Sequence, residues 1–251
     1  MILRTFTRNL LRNSRIRKTK PVDITVCIDI ECTCDSPVQI YPMEVIEIAC
    51  LKLDLTKLST VNGSRNKSIL NTSLDKSPTF HSYVKPVINP QLTLFCQELT
   101  GVFQTTVDKS EPICSVIDKL LDWLRKQDLI DDNNDMKKQF AFASCGNFDL
   151  NVLSPIIKEC KFKNDLELPI YFKEWINVKK TFVNHKREWP KGLYHMLEVL
   201  NEEPSGRLHS ARDDCKNLAR IIECLHADGC KFHVTSRSEH HSNNNNQNNS
   251  T

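Results

Sequence analysis

No apolar run in the 251 residues approaches the ~20 needed to cross a bilayer, which predicts a soluble protein. No C-x-x-C pair occurs either, and the eleven cysteines are odd in number and scattered, several of them inside apolar stretches. That pattern argues against a disulfide framework and for reduced, packed thiols in an intracellular protein. Cys32-Thr33-Cys34 has the look of half a zinc site, but no C-x-x-C or H-x-x-x-H half exists to complete it. Acids are missing from residues 1–20, which hold Arg4, Arg8, Arg12, Arg15, Arg17, Lys18 and Lys20. Without those seven, 27 basic residues face 31 acidic ones, a net of −4 against +3 for the whole chain. Bulk charge therefore gives no argument for nucleic-acid binding.

The basic arm, residues 1–21, interleaves Ile2, Leu3, Phe6, Leu10 and Leu11 with its arginines. Such a composition suits a mitochondrial transit peptide, and equally a basic arm for nuclear import or RNA phosphates. The expected location is the cytoplasm or nucleus, with the mitochondrion as the arm's alternative. At the other end SNNNNQNNST is low-complexity polar sequence without enough apolar surface to fold, so residues 233–251 are expected to form a tail. The 39% hydrophobic content suffices for one core, placed in a single domain over residues 22–232.

What organises that domain is the stretch VDITVCIDIE. Ile24, Val26, Ile28 and Ile30 alternate with Thr25, Cys27, Asp29 and Glu31, so on a strand both carboxylates point to one side. Two negative charges in one patch repel unless a cation sits between them, and hard oxygen ligands suit Mg²⁺ or Mn²⁺. A lone D-x-E is nevertheless more often a solvated strand end.

Further along, EVIEIACLKL (44–53) reads as a second strand antiparallel to the first, and residues 55–79 as a long polar loop. Phe80 to Val84 is a third strand. Residues 92–99 and 113–125 have helical periodicity. FAFAS (140–144) is a short strand leading into Asn147-Phe148-Asp149 and a helix over 150–160, with Pro155 expected to kink or delay it. Asp149 lies at that hand-over, where Asp commonly serves as an N-cap. Trp175 to Val178 is a short strand, followed by Lys179, Lys180, Lys186, Arg187 and Lys191 around Trp189, a mixture able to hold a nucleic-acid backbone and more often a solvated face. Gly192 to Leu200 reads as a short helix.

The strongest signal in the second half is HSARDDC at the start of a helix running to about Leu225. Ala211, Leu218, Ile221, Ile222 and Leu225 form its apolar stripe, and Asp214 falls on it. A carboxylate there is costly to bury unless paired or metal-bound. Asp213 falls with Asn217 and Arg220 on the expected wet face, three after Ser210 as in a capping box. Alone, His209 is more often a structural helix-start histidine than a base.

Taken together, DIE, NFD and HSARDD resemble the three motifs of the DEDDh 3′-to-5′ exonucleases: D-x-E, a central Asp, and H-x-x-x-x-D. FHSYVKP, FCQELTG, EWINVKK, GRLHSARDD and CKNLARI look like the enhancer-of-RNAi type of 3′ exoribonuclease, over roughly residues 22–232. The resemblance implies an α/β, RNase H-like fold, a mixed five-stranded sheet with its first three strands antiparallel and helices around it. It implies that Asp29, Glu31, Asp149 and Asp214 hold two Mg²⁺ ions, or Mn²⁺, about 3.5 to 4 Å apart. Glu31 would be part of the catalytic set, with His209 as general base, a role that suits an imidazole. Substrate contacts are carried over to Cys32, Thr100, Phe148, Lys179 and Lys180. The implied partner is single-stranded RNA or an RNA 3′ overhang, cut to nucleoside 5′-monophosphates. DNA is the alternative substrate, and an RNA-binding adaptor that kept the fold without catalysis is the alternative class. Some relatives carry an upstream helical nucleic-acid-binding domain. With about 20 residues before the first strand, specific stem-loop recognition is not expected, and the 55–79 insertion is longer than the family's usual connection.

Overall fold

The computed structural model describes residues 20–58, 74, 76–162 and 167–238. Residues 1–19 of the basic arm, most of the 55–79 loop and the Asn-rich end lie outside the described residues. Within them, no helix is long and apolar enough to cross a membrane.

The strands are β1 (Ile24–Cys32), β2 (Val45–Asp54), β3 (Thr79–Lys85), β4 (Glu111–Pro112), β5 (Phe140–Ser144), β6 (Glu174–Asn177) and β7 (Ser236–Arg237). They form one sheet in the order β4-β3-β2-β1-β5-β6-β7. β1, β2 and β3 pair antiparallel, and β5 and β6 continue the sheet parallel to β1. The five expected strands are thus present as a mixed sheet. The count is seven because two-residue strands extend both edges, too short to carry a periodicity that sequence could display.

The helices are α1 (Leu94–Thr100), α2 (Gln104–Val107), α3 (Ile113–Lys126), α4 (Phe148–Lys161), α5 (Ile170–Lys173), α6 (Val178–Lys186), α7 (Leu193–Val199) and α8 (Ala211–Ala227). α1 starts where Thr93 accepts from the Cys96 amide and stops at Gly101, whose φ of +74° is the left-handed cap that ends a helix. Pro155 neither delays nor ends α4, which begins at Phe148 and runs through it.

Period-2 alternation in β1 sorts its side chains between two cores. Val26, Ile28 and Ile30 pack with Phe140 and Phe142 against α3 and α4, through Ile117, Leu120, Leu150 and Leu153. Cys27 packs with Ala49, Ala141 and Ala143 against Leu218, Ile221 and Ile222 of α8. The small alanines leave room for α8 to lie close to the sheet. The Ala211, Leu218, Ile221, Ile222 and Leu225 stripe is buried as expected.

Three readings need correction. Cys114 on α3 and Cys160 on α4 form a disulfide, so not every thiol is reduced, although nine described cysteines are free. No motif spacing marks this pair; the packing of α3 on α4 brings them together. Asn217 and Arg220 do not face water: they are 2% and 7% exposed. Residues after α7 cover that flank, where Asn217 Oδ1 accepts from the Ser205 amide (2.9 Å) and Arg220 Nε donates to Glu202 (3.0 Å). Finally, Asp213 and Ser210 form no capping box. Ser210 makes no side-chain cap bond, and Asp213 instead accepts from the Arg207 amide at 2.9 Å.

Candidate active site

β1 outruns β5: the last paired residues are Cys27 and Ala143, and β1 continues to Cys32 beside β2. Asp29 and Glu31 lie on this overhang, on the face that α8 covers, next to a register shift between Glu31 and Cys32. Where β5 stops, Cys145-Gly146-Asn147 turns the chain into α4. Asp149 then sits in the first turn of α4, where helix dipole and free amides favour an acid. It is not the N-cap. Instead its Oδ1 accepts from the Ile30 amide at 3.2 Å, a donor that lies beyond the last β5 pairing, and this draws the carboxylate in between Asp29 and Glu31 along β1.

α8 completes the group. Asp214, 6% exposed, hangs from its first turn onto the sheet, as the apolar stripe predicted. Its Oδ2 accepts from the His209 amide at 3.0 Å, which fixes His209 in a left-handed conformation with φ +58°. That conformation is uncommon outside glycine and is held here by a specific bond. Glu31, His209 and Asp214 each bring a ligand atom within 4.8 Å of the others. All five implied residues line one cleft of about 580 Å³, with Phe148, Lys179, Lys191, Tyr194, His195 and Leu208.

Burial first, and neighbouring acids after it, hold these carboxyls above their usual range. Burial, then Asp149, Glu31 and Asp214, hold Asp29 well above the usual carboxylate range. Burial, then Glu47, pushes Glu31 to about 8. Asp149 is raised by burial to about 6 although backbone amides and the Ser144 hydroxyl oppose the shift. Asp214 is likewise raised by burial, against the His209 amide. The Asp214 Oδ1 is buried with no hydrogen-bond partner. A donor set of oxygens that repel one another, with one buried oxygen unpartnered, fits a hard divalent cation.

The expected substrate residues part company. Phe148 is 49% exposed at the cleft, and Lys179 lines it. Lys180 Nζ instead donates to the Thr235 carbonyl (3.1 Å) and the Ser236 hydroxyl (2.9 Å), tying α6 to β7. Thr100 is 2% exposed, and its hydroxyl donates to the Cys96 carbonyl and accepts from the Val102 amide. Cys32 is buried, and its carbonyl faces Cys96 Sγ. Neither Thr100 nor Cys32 lines the cleft. Of the basic run, Lys186 pairs with Asp228, and Trp189 is exposed.

Sequence reasoning passed over Glu47, 2% exposed on β2 and directly opposite Glu31. A charged residue inside the apolar run EVIEIACLKL was a readable signal, but its position at the site depends on the β1–β2 register.

The site is thus a mixed sheet whose central strand carries D-x-E, with further acids delivered by a strand-to-helix turn and a helix start. Residues 26–222 match the exonuclease family of RNase T type, and the chain belongs to that family. Human ERI1 exoribonuclease 3 is 40% identical over 213 residues, which are 84% of this chain and 56% of that protein. The 3′-5′ exoribonuclease 1 of Rattus norvegicus is 31% identical over 221 residues, 86% of this chain and 56% of the relative. The chain thus spans little more than half the length of these relatives. Among solved structures, the nuclease domain of 3′hExo, a DEDDh family member bound to rAMP, superposes with a TM-score of 0.70 at 29% identity, covering 86% of this chain and 98% of that one. A 3′-exonuclease recognising the 3′ end of a histone mRNA stem-loop gives 0.71 at 27% identity, covering 88% and 89%.

Proposed function

We propose that the chain is a divalent-metal-dependent 3′-to-5′ exoribonuclease that releases nucleoside 5′-monophosphates from single-stranded RNA ends or short overhangs. One observation carries the reading: the carboxylates of Asp29, Glu31, Asp149 and Asp214, from three separate elements, meet in one cleft beside His209. Mg²⁺ or Mn²⁺ held by those four acids would supply charge stabilisation at the scissile phosphate and a more acidic attacking water.

The chain's own residues do the rest. Asp149 and Asp214 are aimed by the Ile30 and His209 amides, so the oxygen cage is set before substrate arrives. His209 takes the water's proton, a transfer suited to an imidazole near neutral pH. Phe148, half exposed at the cleft, offers a face on which the terminal base stacks, and Lys179 faces the phosphate chain. Labelled RNA and DNA of equal sequence, incubated with Mg²⁺ or with EDTA, test this. Stepwise loss of monophosphates from the RNA 3′ end, abolished by EDTA, is expected; cleavage that persists in EDTA, or of circular RNA at a similar rate, contradicts it.

A further inference from the structure

Glu47 is a buried carboxylate that the proposed chemistry does not use. Both of its oxygens are committed: Oε1 lies 2.7 Å from His81 Nε2 on β3, and Oε2 accepts from the Ala211 amide at 3.1 Å. Ala211 is the first residue of α8 and is fully buried. The first amides of a helix have no acceptor within it, and the Ser210 side chain supplies none here. Glu47 therefore caps α8 from the sheet face that the helix covers. The capped turn is the one that carries Asp214, and Asp214 in turn holds His209. Because Glu47 stands opposite Glu31 in the β1–β2 register, the contact sets α8 against the strand bearing the other acids.

We infer that Glu47, braced by His81, is a positioning residue that fixes His209 and Asp214 against Asp29 and Glu31, and is not itself a metal ligand. Its occupied oxygens separate it from Asp214, whose Oδ1 has no partner. The inference rests on the exonuclease reading for its kinetic consequence, and on the hydrogen bonds alone for its structural one.

Two variants of the full chain divide reach from charge. Glu47→Gln keeps the length and an oxygen for the Ala211 amide; Glu47→Asp keeps the charge but falls one methylene short. With labelled RNA and Mg²⁺, Glu47→Gln is expected within about threefold of wild type. Glu47→Asp is expected to lose on the order of 10- to 100-fold in kcat with KM little changed, as small misplacements of reacting groups do. Mn²⁺ affinity, read by electron paramagnetic resonance, should stay the same in Glu47→Gln and weaken in Glu47→Asp, whose loosened α8 start carries Asp214. In the metal-free proteins, amide hydrogen exchange at residues 211–214 should speed up in Glu47→Asp and not in Glu47→Gln. A slow Glu47→Gln, weakened Mn²⁺ binding in Glu47→Gln, or a fully active Glu47→Asp with unchanged exchange would each overturn the inference. Should wild type leave RNA intact while the exchange pattern holds, the exonuclease reading fails and the positioning role stands.

Discussion

Under α3 and α4 the sheet presents Val26, Ile28, Ile30, Phe140 and Phe142, an apolar face closed by Ile117, Leu120, Leu150 and Leu153. Under α8 the same strands present Cys27, Ala141 and Ala143 and then, toward the overhanging end of β1, Asp29 and Glu31 with Glu47 beside them on β2. The two faces separate stability from chemistry. Apolar burial on the first contributes folding free energy in proportion to area. On the second, acids held together against their repulsion cost stability unless a cation neutralises them. A substitution on each face should accordingly move a different measurement.

The largest effect is expected from Asp29→Asn, which removes ligand charge without removing core volume. Turnover should fall to background while circular dichroism and melting temperature stay near wild type; a folded, fully active variant would place the metal centre elsewhere. His209→Ala follows, with a loss on the order of 10² to 10⁴ in kcat and nearly normal RNA and Mn²⁺ binding. Normal turnover at neutral pH would return His209 to a structural role. On the opposite face, Leu120→Ala should cost about 2 to 5 kcal/mol in denaturant unfolding and leave kcat unchanged. Lost activity in the folded Leu120→Ala protein would mean the faces are not separable.

The metal-free protein should also show a pH dependence of stability. Glu31 is raised from 4.5 to about 8 and Asp149 from 3.8 to about 6, so between those values the folded chain binds more protons than the unfolded one. Stability then falls as pH rises. The melting temperature should decline from about pH 4 to about pH 8, and saturating Mg²⁺ should remove most of the decline. A rising or flat profile without metal would contradict the buried, crowded state described for these acids.

Some of the site could be read directly because local periodicity decides it. Alternation in β1 put Asp29 and Glu31 on one side, and the apolar stripe of α8 chose Asp214 over Asp213. Asp149 was legible as an acid at a strand-to-helix turn, but its aim at Ile30 depends on β5 being shorter than β1, which no local pattern states. Glu47 needed the cross-strand register. Asn217 and Arg220 were misplaced for another reason: helical periodicity describes one buried stripe, whereas α8 is also covered along its flank by residues such as Glu202, which pairs with Arg220. The Cys114–Cys160 disulfide likewise joins residues 46 apart through helix packing alone.

Adjacent acids on α8 put the central claim to its most direct test. Asp214 faces the sheet with one oxygen unpartnered; Asp213 turns back to the Arg207 amide, packed so closely over Gly206 that a Cβ there would meet its carboxyl carbon at 2.3 Å. Asp214→Asn and Asp213→Asn, assayed side by side on labelled RNA with Mg²⁺ and melted without it, should differ sharply. The account predicts that Asp214→Asn is inactive with an unchanged or raised metal-free melting temperature, since one repelling charge is gone. It predicts that Asp213→Asn, which keeps an acceptor for Arg207, retains most activity and loses at most about 1 kcal/mol. An active Asp214→Asn beside an inactive Asp213→Asn would contradict the α8 register, the motif assignment and the metal cage together.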